Sequence, residues 1–179
     1  MEFLISDTLL LRALEPEDLP LLYKWENNTQ WWDGGNTLVP YSKYILREYL
    51  INSDKPIFET KQLRLMITLK DSNQTIGMID LYDFEGHHGR AGVGIMIDNP
   101  FQQKGYAAQA LRLLVDYAFH FLQINQLYAY ITVDNFASIR LFTSVGFTSS
   151  GVLKQWIKSP QGYKDVSVYQ LVNNVQKGN

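Results

Sequence analysis

Residues 98–108 read DNPFQQKGYAA and join the end of a predicted strand to the start of a predicted helix. Asp98 and Pro100 end the strand, and Gly105 precedes a helix that opens with Ala107. Unpaired N–H groups at a helix N-terminus, together with the helix dipole, bind anions, and small side chains let a pyrophosphate approach the backbone. The stretch therefore predicts an anion site, with Lys104 as a cation at its rim.

On its own, the pattern Q-x-x-G-x-A at residues 102–107 is equally compatible with an ordinary helix start that contains a glycine. The chain contains neither G-x-G-x-x-G nor G-x-x-x-x-G-K-[ST], so the dinucleotide-binding and P-loop motifs are excluded. A second segment is needed to decide between the two interpretations.

Hydrophobic periodicity predicts the secondary structure on both sides of this stretch. Leu63, Leu65, Ile67 and Leu69 alternate along the chain, which indicates a strand. Apolar residues recur at helical spacing in a later segment, which predicts a helix there: Leu111, Leu114, Val115, Ala118 and Leu122. The predicted strands are 8–12, 63–70, 75–84, 90–97, 127–133, 147–157 and 164–172; the predicted helices begin at Pro16 and cover 41–51, 107–121 and 136–145, and 27–40 is a predicted loop. This order indicates an α+β fold with a mixed sheet.

Length and composition narrow the class of protein. A chain of 179 residues with 46% hydrophobic content predicts one domain over residues 1–179. The net charge of −2 and the absence of a basic tract argue against a nucleic-acid partner. The absence of cysteine excludes disulfides, thiolate metal sites and a cysteine nucleophile, and His87 and His88 lack a third ligand at metal-binding spacing. No apolar stretch is long enough for a bilayer and no signal peptide is present, so we expect a cytoplasmic protein with no membrane partner.

The second segment, residues 133–147, reads VDNFASIRLFTSVGF and favours the anion site over an ordinary helix start at residues 102–107. Asn135 is a good N-cap for a short helix that ends at Gly146 and Phe147. One strand downstream of Q-x-x-G-x-A, this string resembles the acetyl-CoA-binding core of the GNAT N-acetyltransferases. Within this family, the chain is most similar to the branch that contains the spermidine N-acetyltransferases and the ribosomal-protein N-terminal acetyltransferases. Residues 9–18, Gly77 and residues 88–91 also resemble that branch.

The resemblance implies a GNAT-like fold, a cofactor and a set of binding residues. The implied fold is a mostly antiparallel mixed sheet of about seven strands, flanked by about four helices and splayed between strands four and five. The implied cofactor is acetyl-CoA as acetyl donor, whose pantetheine arm would pair with the backbone of Ile95, Met96 and Ile97. Its pyrophosphate would be held by backbone N–H groups from Gln103 to Ala108. The full implied cofactor set adds Asn135 and Phe142 to the loop residues Gln102, Gln103, Lys104, Gly105, Tyr106, Ala107 and Ala108.

One residue departs from the family pattern. The family usually has a tyrosine as general acid four residues before the Gly-Phe pair, and this chain has Phe142 there. Two interpretations stay open, so the catalytic residue is not assigned. Either the thiolate leaves with help from water, the helix dipole or another hydroxyl such as that of Tyr130 or Thr132, or the protein binds acetyl-CoA with weak or no catalysis.

The acceptor predicted for the enzyme is a primary amine: a polyamine, a small amine, or the N-terminus of a peptide or protein. The resemblance places its pocket at the loop between the first two helices, where Trp31, Trp32 and Asp33 follow Glu26. Residues 15–60 hold eight acidic against four basic side chains, which would attract a cation, and tryptophans provide cation–π walls.

Several alternatives to this acceptor pocket stay open. The acids are also compatible with solvated helix faces, and the tryptophans with core positions. Residues 32–35 read WDGG, where spermidine acetyltransferases carry an acidic run, so polyamine specificity is open. Asp80 and Asp83 could relay the amine proton.

A third possible function class is a structural or partner-binding protein that kept the fold but lost the activity. Apolar residues on a second side of helix 107–121, Leu113, Tyr117 and Phe121, predict a homodimer contact.

Overall fold

The computed structural model describes residues 3–34 and 37–174, which build a seven-stranded sheet with five α-helices. The strands are β1 (Leu9–Arg12), β2 (Leu63–Leu69), β3 (Thr75–Glu85), β4 (Arg90–Ile97), β5 (Gln126–Thr132), β6 (Thr148–Ser159) and β7 (Gly162–Val172). The helices are α1 (Leu19–Glu26), α2 (Lys43–Ile51), α3 (Ile57–Thr60), α4 (Tyr106–Asp116) and α5 (Phe136–Ser144). The spatial order is β1-β2-β3-β4-β5-β7-β6.

The two faces of the sheet are covered differently. On one face, alternate strand residues such as Leu81 and Leu127 pack with Leu111 and Leu114 of α4 into the main core. On the other face, Trp25 of α1 forms a smaller core cluster with Met66 and Met96. Because strand side chains alternate between faces, α1 and α2 lie on the side of the sheet opposite α4.

The sheet opens between its fourth and fifth strands. β4 and β5 are parallel and pair only from Arg90–Gly92 with 126–128, whereas β5 pairs with β7 over its whole length. Beyond Gly92 the two strands diverge into a fork. The mixed, mostly antiparallel sheet and its splay between strands four and five are confirmed.

The predicted boundaries of the strands agree with the structure to within two residues, but the helices and the loop 27–40 need five corrections. The helix predicted over 107–121 is α-helical from Tyr106 to Asp116 and continues as a π-helical segment, Tyr117–Phe121. The helix predicted from Pro16 begins with a 3₁₀ turn, Pro16–Asp18, and the helix predicted over 41–51 begins at Lys43 because Ser42 caps it. The short helix α3 was not predicted because four residues are too few to show a helical period. Residues 27–40 are not all loop, since Thr29–Gly34 form a 3₁₀ segment.

Polar contacts of the backbone explain why the 3₁₀ segment forms without hydrophobic periodicity. The Trp31 amide donates to the Asn28 carbonyl at 3.0 Å, and the Trp32 indole N–H donates to the Glu26 carbonyl at 2.8 Å. The side chain of Asn27 bonds both backbone groups of Tyr41, at 2.7 and 3.0 Å. These bonds fold the segment back against α1 and the start of α2.

Candidate functional site

The loop between β4 and α4 is shaped by its own side chains. The Asp98 carboxylate accepts the Asn99 amide at 3.0 Å, and the Gln102 side-chain amide donates to the Ile97 carbonyl at 2.9 Å. Gln103 and Gly105 both have positive φ, 60° and 83°. Gln102 therefore holds the loop against the end of β4, and the two left-handed residues turn the chain into the helix.

The helix α4 begins with exposed backbone donors. Gly105 is its N-cap, and among the described residues no side chain caps it. The first N–H groups of an α-helix have no partner inside the helix, so those of the first turn are available to a ligand. A Cβ built on Gly105 would have nothing within 4 Å, which leaves open space in front of this turn. The Lys104 ammonium lies 5.5 Å from the centre of the Phe101 ring, at the edge of that space.

The fork supplies a free strand edge next to this loop. The Asp98 amide donates to the Ile76 carbonyl of β3, and backbone groups in an antiparallel pair alternate in direction. The backbone groups of Met96 therefore point to β3, while those of Ile95 and Ile97 point into the fork. The predicted pairing of a ligand with this edge can use Ile95 and the Ile97 amide, because the Ile97 carbonyl is bonded to Gln102.

The helix α5 follows β5 and is held at both ends as its sequence predicts. The Asn135 side chain accepts the Ser138 amide at 3.1 Å. At the other end Gly146 has a φ of 104°, and the Phe147 amide donates to the Phe142 carbonyl at 3.1 Å, the bond of a Schellman motif. Phe142 is buried, with its ring edge-on to Phe147 at 5.0 Å. The Phe142 side chain is therefore part of the main core.

The predicted acceptor residue Glu26 is part of a buried ionic cluster. Arg64 of β2 donates to Asp80 twice, Nε to Oδ1 at 2.7 Å and Nη2 to Oδ2 at 2.8 Å, and also donates to Glu26. Burial works to lower the pKa of Arg64, but Asp80, Tyr49 and Glu26 outweigh it and the pKa is raised well above its ordinary value. The carboxylates of Glu26 and Asp80 are therefore both paired with the Arg64 guanidinium. Trp31 packs on the smaller core cluster, and the Asp33 side chain lies outside the described part of the structure.

An acidic cavity on the same face of the sheet was not found from the sequence. It has a volume of about 370 Å³ and is lined by Asp83, Glu85, Arg90, Gln126, Tyr128, Tyr130, Val168 and Gln170. A bulge in β3 between Tyr82 and Glu85 places Asp83 at a φ of 48°. The sequence pattern hides this site because the bulge interrupts the alternation of β3, and the bulged aspartate is the one available signal.

Helix α1 is joined to the end of β4. The Lys24 ammonium lies 2.6 Å from the Asp98 carboxylate, and Trp25 beside it is buried under the sheet. Desolvation acts to raise the pKa of Asp98, but the hydrogen bond and charge of Lys24, together with the Asn99 amide, outweigh it and lower the pKa. The anion loop and the helix that leads to the predicted acceptor segment are thus directly connected.

The forked sheet, with an uncapped helix start at its open end, is the fold that the sequence resemblance implies. The family model described as "Acetyltransferase (GNAT) domain" matches residues 8–148. The chain belongs to this family, and it is an N-acetyltransferase with acetyl-CoA as its acetyl donor.

Its similarity to known proteins extends over nearly the whole chain. It is 28% identical to a spermidine N(1)-acetyltransferase of Vibrio cholerae, over 90% of this chain and 91% of that protein. It is 26% identical to the uncharacterized N-acetyltransferase p20 of Bacillus licheniformis, over 99% and 100%. The solved V. cholerae enzyme with CoA and spermine superposes with a TM-score of 0.84 at 26% identity, over 93% and 96%. The RimL ribosomal L7/L12 acetyltransferase shares the fold, with a TM-score of 0.82 at 23% identity over 96% and 98%.

The described part of the chain covers residues 3–34 and 37–174. Within these ranges no helix is long and apolar enough to cross a membrane. The same residues contain no group of three histidine or acidic side chains arranged to hold a metal ion.

Proposed function

We propose that this protein transfers an acetyl group from acetyl-CoA directly to a primary amine of a small diamine or polyamine. The free amine attacks the thioester carbonyl, the C–S bond breaks, and the amine loses one proton while the CoA thiolate gains one. An alkyl ammonium has a pKa of about 10.4, so it must lose a proton before it attacks. The site has to bind a cation at one end of the acceptor and a neutral amine at the other.

The acidic cavity is the observation that carries the choice of acceptor. Its polar wall holds the carboxylates of Asp83 and Glu85 against one cation, Arg90, and its other wall holds the Tyr128 and Tyr130 rings. Carboxylates and aromatic faces both attract ammonium groups. The cavity lies on β5 beside the closed end of the fork, so a diamine with one end here can direct its other end into the fork.

The distribution of hydrogen bonds supports Asp83, rather than Asp80, as the carboxylate that binds the distal ammonium of the acceptor. Both oxygens of Asp80 accept hydrogen bonds from Arg64, at 2.7 and 2.8 Å. Asp83 is exposed at the rim of the cavity. Trp31, Trp32 and Asp33 stay a proposed outer wall on this face, whereas Glu26, which is paired with Arg64, contributes only its charge to the attraction of the acceptor.

The cofactor residues are likewise proposed. Ile95 and Ile97 would pair with the pantetheine arm while the backbone of Met96 pairs with β3, and the N–H groups of residues 103–108 would hold the pyrophosphate. Gln102 and Lys104 would shape and charge this loop, and Asn135 and Phe142 would line the fork from α5. An uncapped helix start with open space in front of it supports this assignment.

The function is tested with the purified full chain, acetyl-CoA and four acceptors: a diamine, a triamine, a monoamine of equal length and a short peptide with a free N-terminus. Thiol release gives the rate, and mass spectrometry identifies the acetylated product. We expect the diamine and triamine to have the highest kcat/KM. A monoamine that reacts equally well contradicts the acidic subsite, and absence of thiol release with all acceptors contradicts the transfer.

Replacing the carboxylates of the acidic cavity by amides should weaken the binding of a diamine but not that of a monoamine. Asp83→Asn and Glu85→Gln should each raise KM for the diamine roughly fivefold, because one partly exposed ion pair is worth up to about 1 kcal/mol. KM for the monoamine should stay constant, since it has no second cation. Asp116→Asn is the matched control, because it removes the same charge from α4 on the other face of the sheet. An equal rise in that control would show a general charge effect instead.

Restoring the family's tyrosine should speed the reaction. In Phe142→Tyr we expect kcat to rise about tenfold, a fraction of what a positioned general acid contributes, because some other donor already protonates the thiolate. KM for acetyl-CoA should change little. Phe142→Leu, which lacks the hydroxyl, serves as the control. A kcat that stays at the wild-type value in the folded tyrosine variant would show that this position does not deliver the proton.

Self-association also stays a prediction. Of the three residues predicted for a dimer contact, Leu113 packs against the main core, whereas Phe121 is exposed and stacks on Tyr117 at 5.1 Å. The V. cholerae spermidine N-acetyltransferase has been solved as a dodecamer. The exposed ring of Phe121, which Phe3 contacts at 5.8 Å, supports a contact with a second copy of this chain.

A further inference from the structure

The ring of Tyr82 lies directly on the backbone of Gly92. A Cβ built on Gly92 would come within 2.3 to 2.8 Å of three atoms of that ring, so the contact requires glycine. The same ring lies 3.8 Å from where a Cβ on Gly94 would stand. Tyr82 belongs to β3, and its side chain therefore crosses the whole width of β4 toward β5.

On the far side of β4 the ring meets β5 where the two strands separate. Gly92 and Tyr128 form the last pair of the parallel ladder. The Tyr82 ring is edge-on to Tyr128 at 6.1 Å. Burial, the largest influence, raises the pKa of Tyr82, and the neighbouring Tyr130 backbone opposes this rise. The aromatic ring thus covers the closed end of the fork from the acceptor side.

We propose that Tyr82 limits the length of the acyl group that the enzyme transfers. The inference rests on the proposed cofactor site: a pantetheine arm along Ile95 and Ile97 points its thioester toward Gly94 and Gly92. The acyl group then reaches the ring of Tyr82, where an acetyl methyl has room and a longer chain meets the ring. In each transfer the amine nitrogen bonds the acyl carbon, the C–S bond breaks, and one proton passes from the amine to the thiolate.

The test measures kcat/KM of the full chain with acetyl-, propionyl- and butyryl-CoA and the best acceptor. In Tyr82→Ala the ratio of butyryl to acetyl transfer should rise at least about tenfold, since one or two methylenes in an apolar pocket are discriminated by such factors. Tyr82→Phe keeps the ring and should keep the wild-type ratio. An active Tyr82→Ala with an unchanged ratio would overturn the proposal.

A second variant works in the opposite direction and does not remove a large side chain. Gly94→Ala adds a methyl group at ordinary contact distance from the Tyr82 ring and narrows the same space. The ratio of propionyl to acetyl transfer should fall about tenfold. If this ratio stays constant the proposal is wrong, whether or not Tyr82→Ala folds. Wild-type protein that releases no thiol from acetyl-CoA would instead reject the proposed function, so the two failures are distinguishable.

Discussion

Acetyl-CoA should bind about a hundredfold more weakly to the Gly105→Asp variant than to the Gly105→Asn variant. A carboxylate about 5 Å from the nearer charge of a pyrophosphate repels it by roughly 3 kcal/mol at an effective dielectric constant of 20. The two side chains have nearly the same size and differ in charge alone. Since Gly105 is the N-cap of α4, the new carboxylate would also occupy the positive end of the helix dipole where the proposed pyrophosphate binds.

The fold should tolerate both variants equally. Gly105 has a φ of 83°, and Asn and Asp are the non-glycine residues that enter the left-handed region most readily. A Cβ at this position would meet nothing within 4 Å. Both variants should therefore show the same melting temperature without ligand, which makes any difference in affinity a property of the bound state.

Calorimetric titration with acetyl-CoA at low and at high salt measures the effect. The difference in Kd between the Asp and Asn variants should shrink as salt rises, because screening weakens the repulsion at this exposed loop. Equal Kd values in the two variants at low salt would exclude residues 103–108 as the pyrophosphate site.

The parts of the fold that the sequence predicts are those with local causes. Alternation of Leu63 to Leu69 places β2 correctly, because Leu65 and Ile67 belong to the main core while Met66 faces the smaller cluster on the other side. The Asn135 cap and the positive φ of Gly146 depend on neighbouring residues alone, so both are visible before folding. The fork itself came from the resemblance, because nothing in residues 90–97 or 127–133 shows where pairing stops.

The parts that the sequence did not predict depend on residues far apart in the chain. Arg64 reaches Glu26 and Asp80 across 38 and 16 positions, and no periodicity marks such a cluster. The Tyr82 ring lies over Gly92 only because β3 and β4 pair in the register that places these two residues opposite each other. The acidic cavity needs a bulge that places Asp83 at the rim. Each is a product of strand pairing, which local patterns do not encode.

Arg64→Met should lower the free energy of unfolding by about 3 to 5 kcal/mol, the usual cost of removing one partner from a buried ionic group. Only 13% of the Arg64 side chain is exposed, and Glu26 and Asp80 are 16% exposed. Without the guanidinium, two carboxylates would face each other in a poorly hydrated space. The Tyr49 ring, 5.3 Å from the Arg64 carbon, would lose its cation as well.

Urea unfolding at neutral pH measures this loss, with Lys55→Met as the comparison. Lys55 and Glu59 are 3.6 Å apart but 47% and 64% exposed, so breaking that pair should cost less than about 1 kcal/mol. Adding Glu26→Gln and Asp80→Asn to Arg64→Met should recover part of the stability, because the unpaired charges and not the missing bonds cause most of the cost. A loss in Arg64→Met as small as that in Lys55→Met would mean that water reaches the cluster, and that Glu26 is available to an acceptor after all.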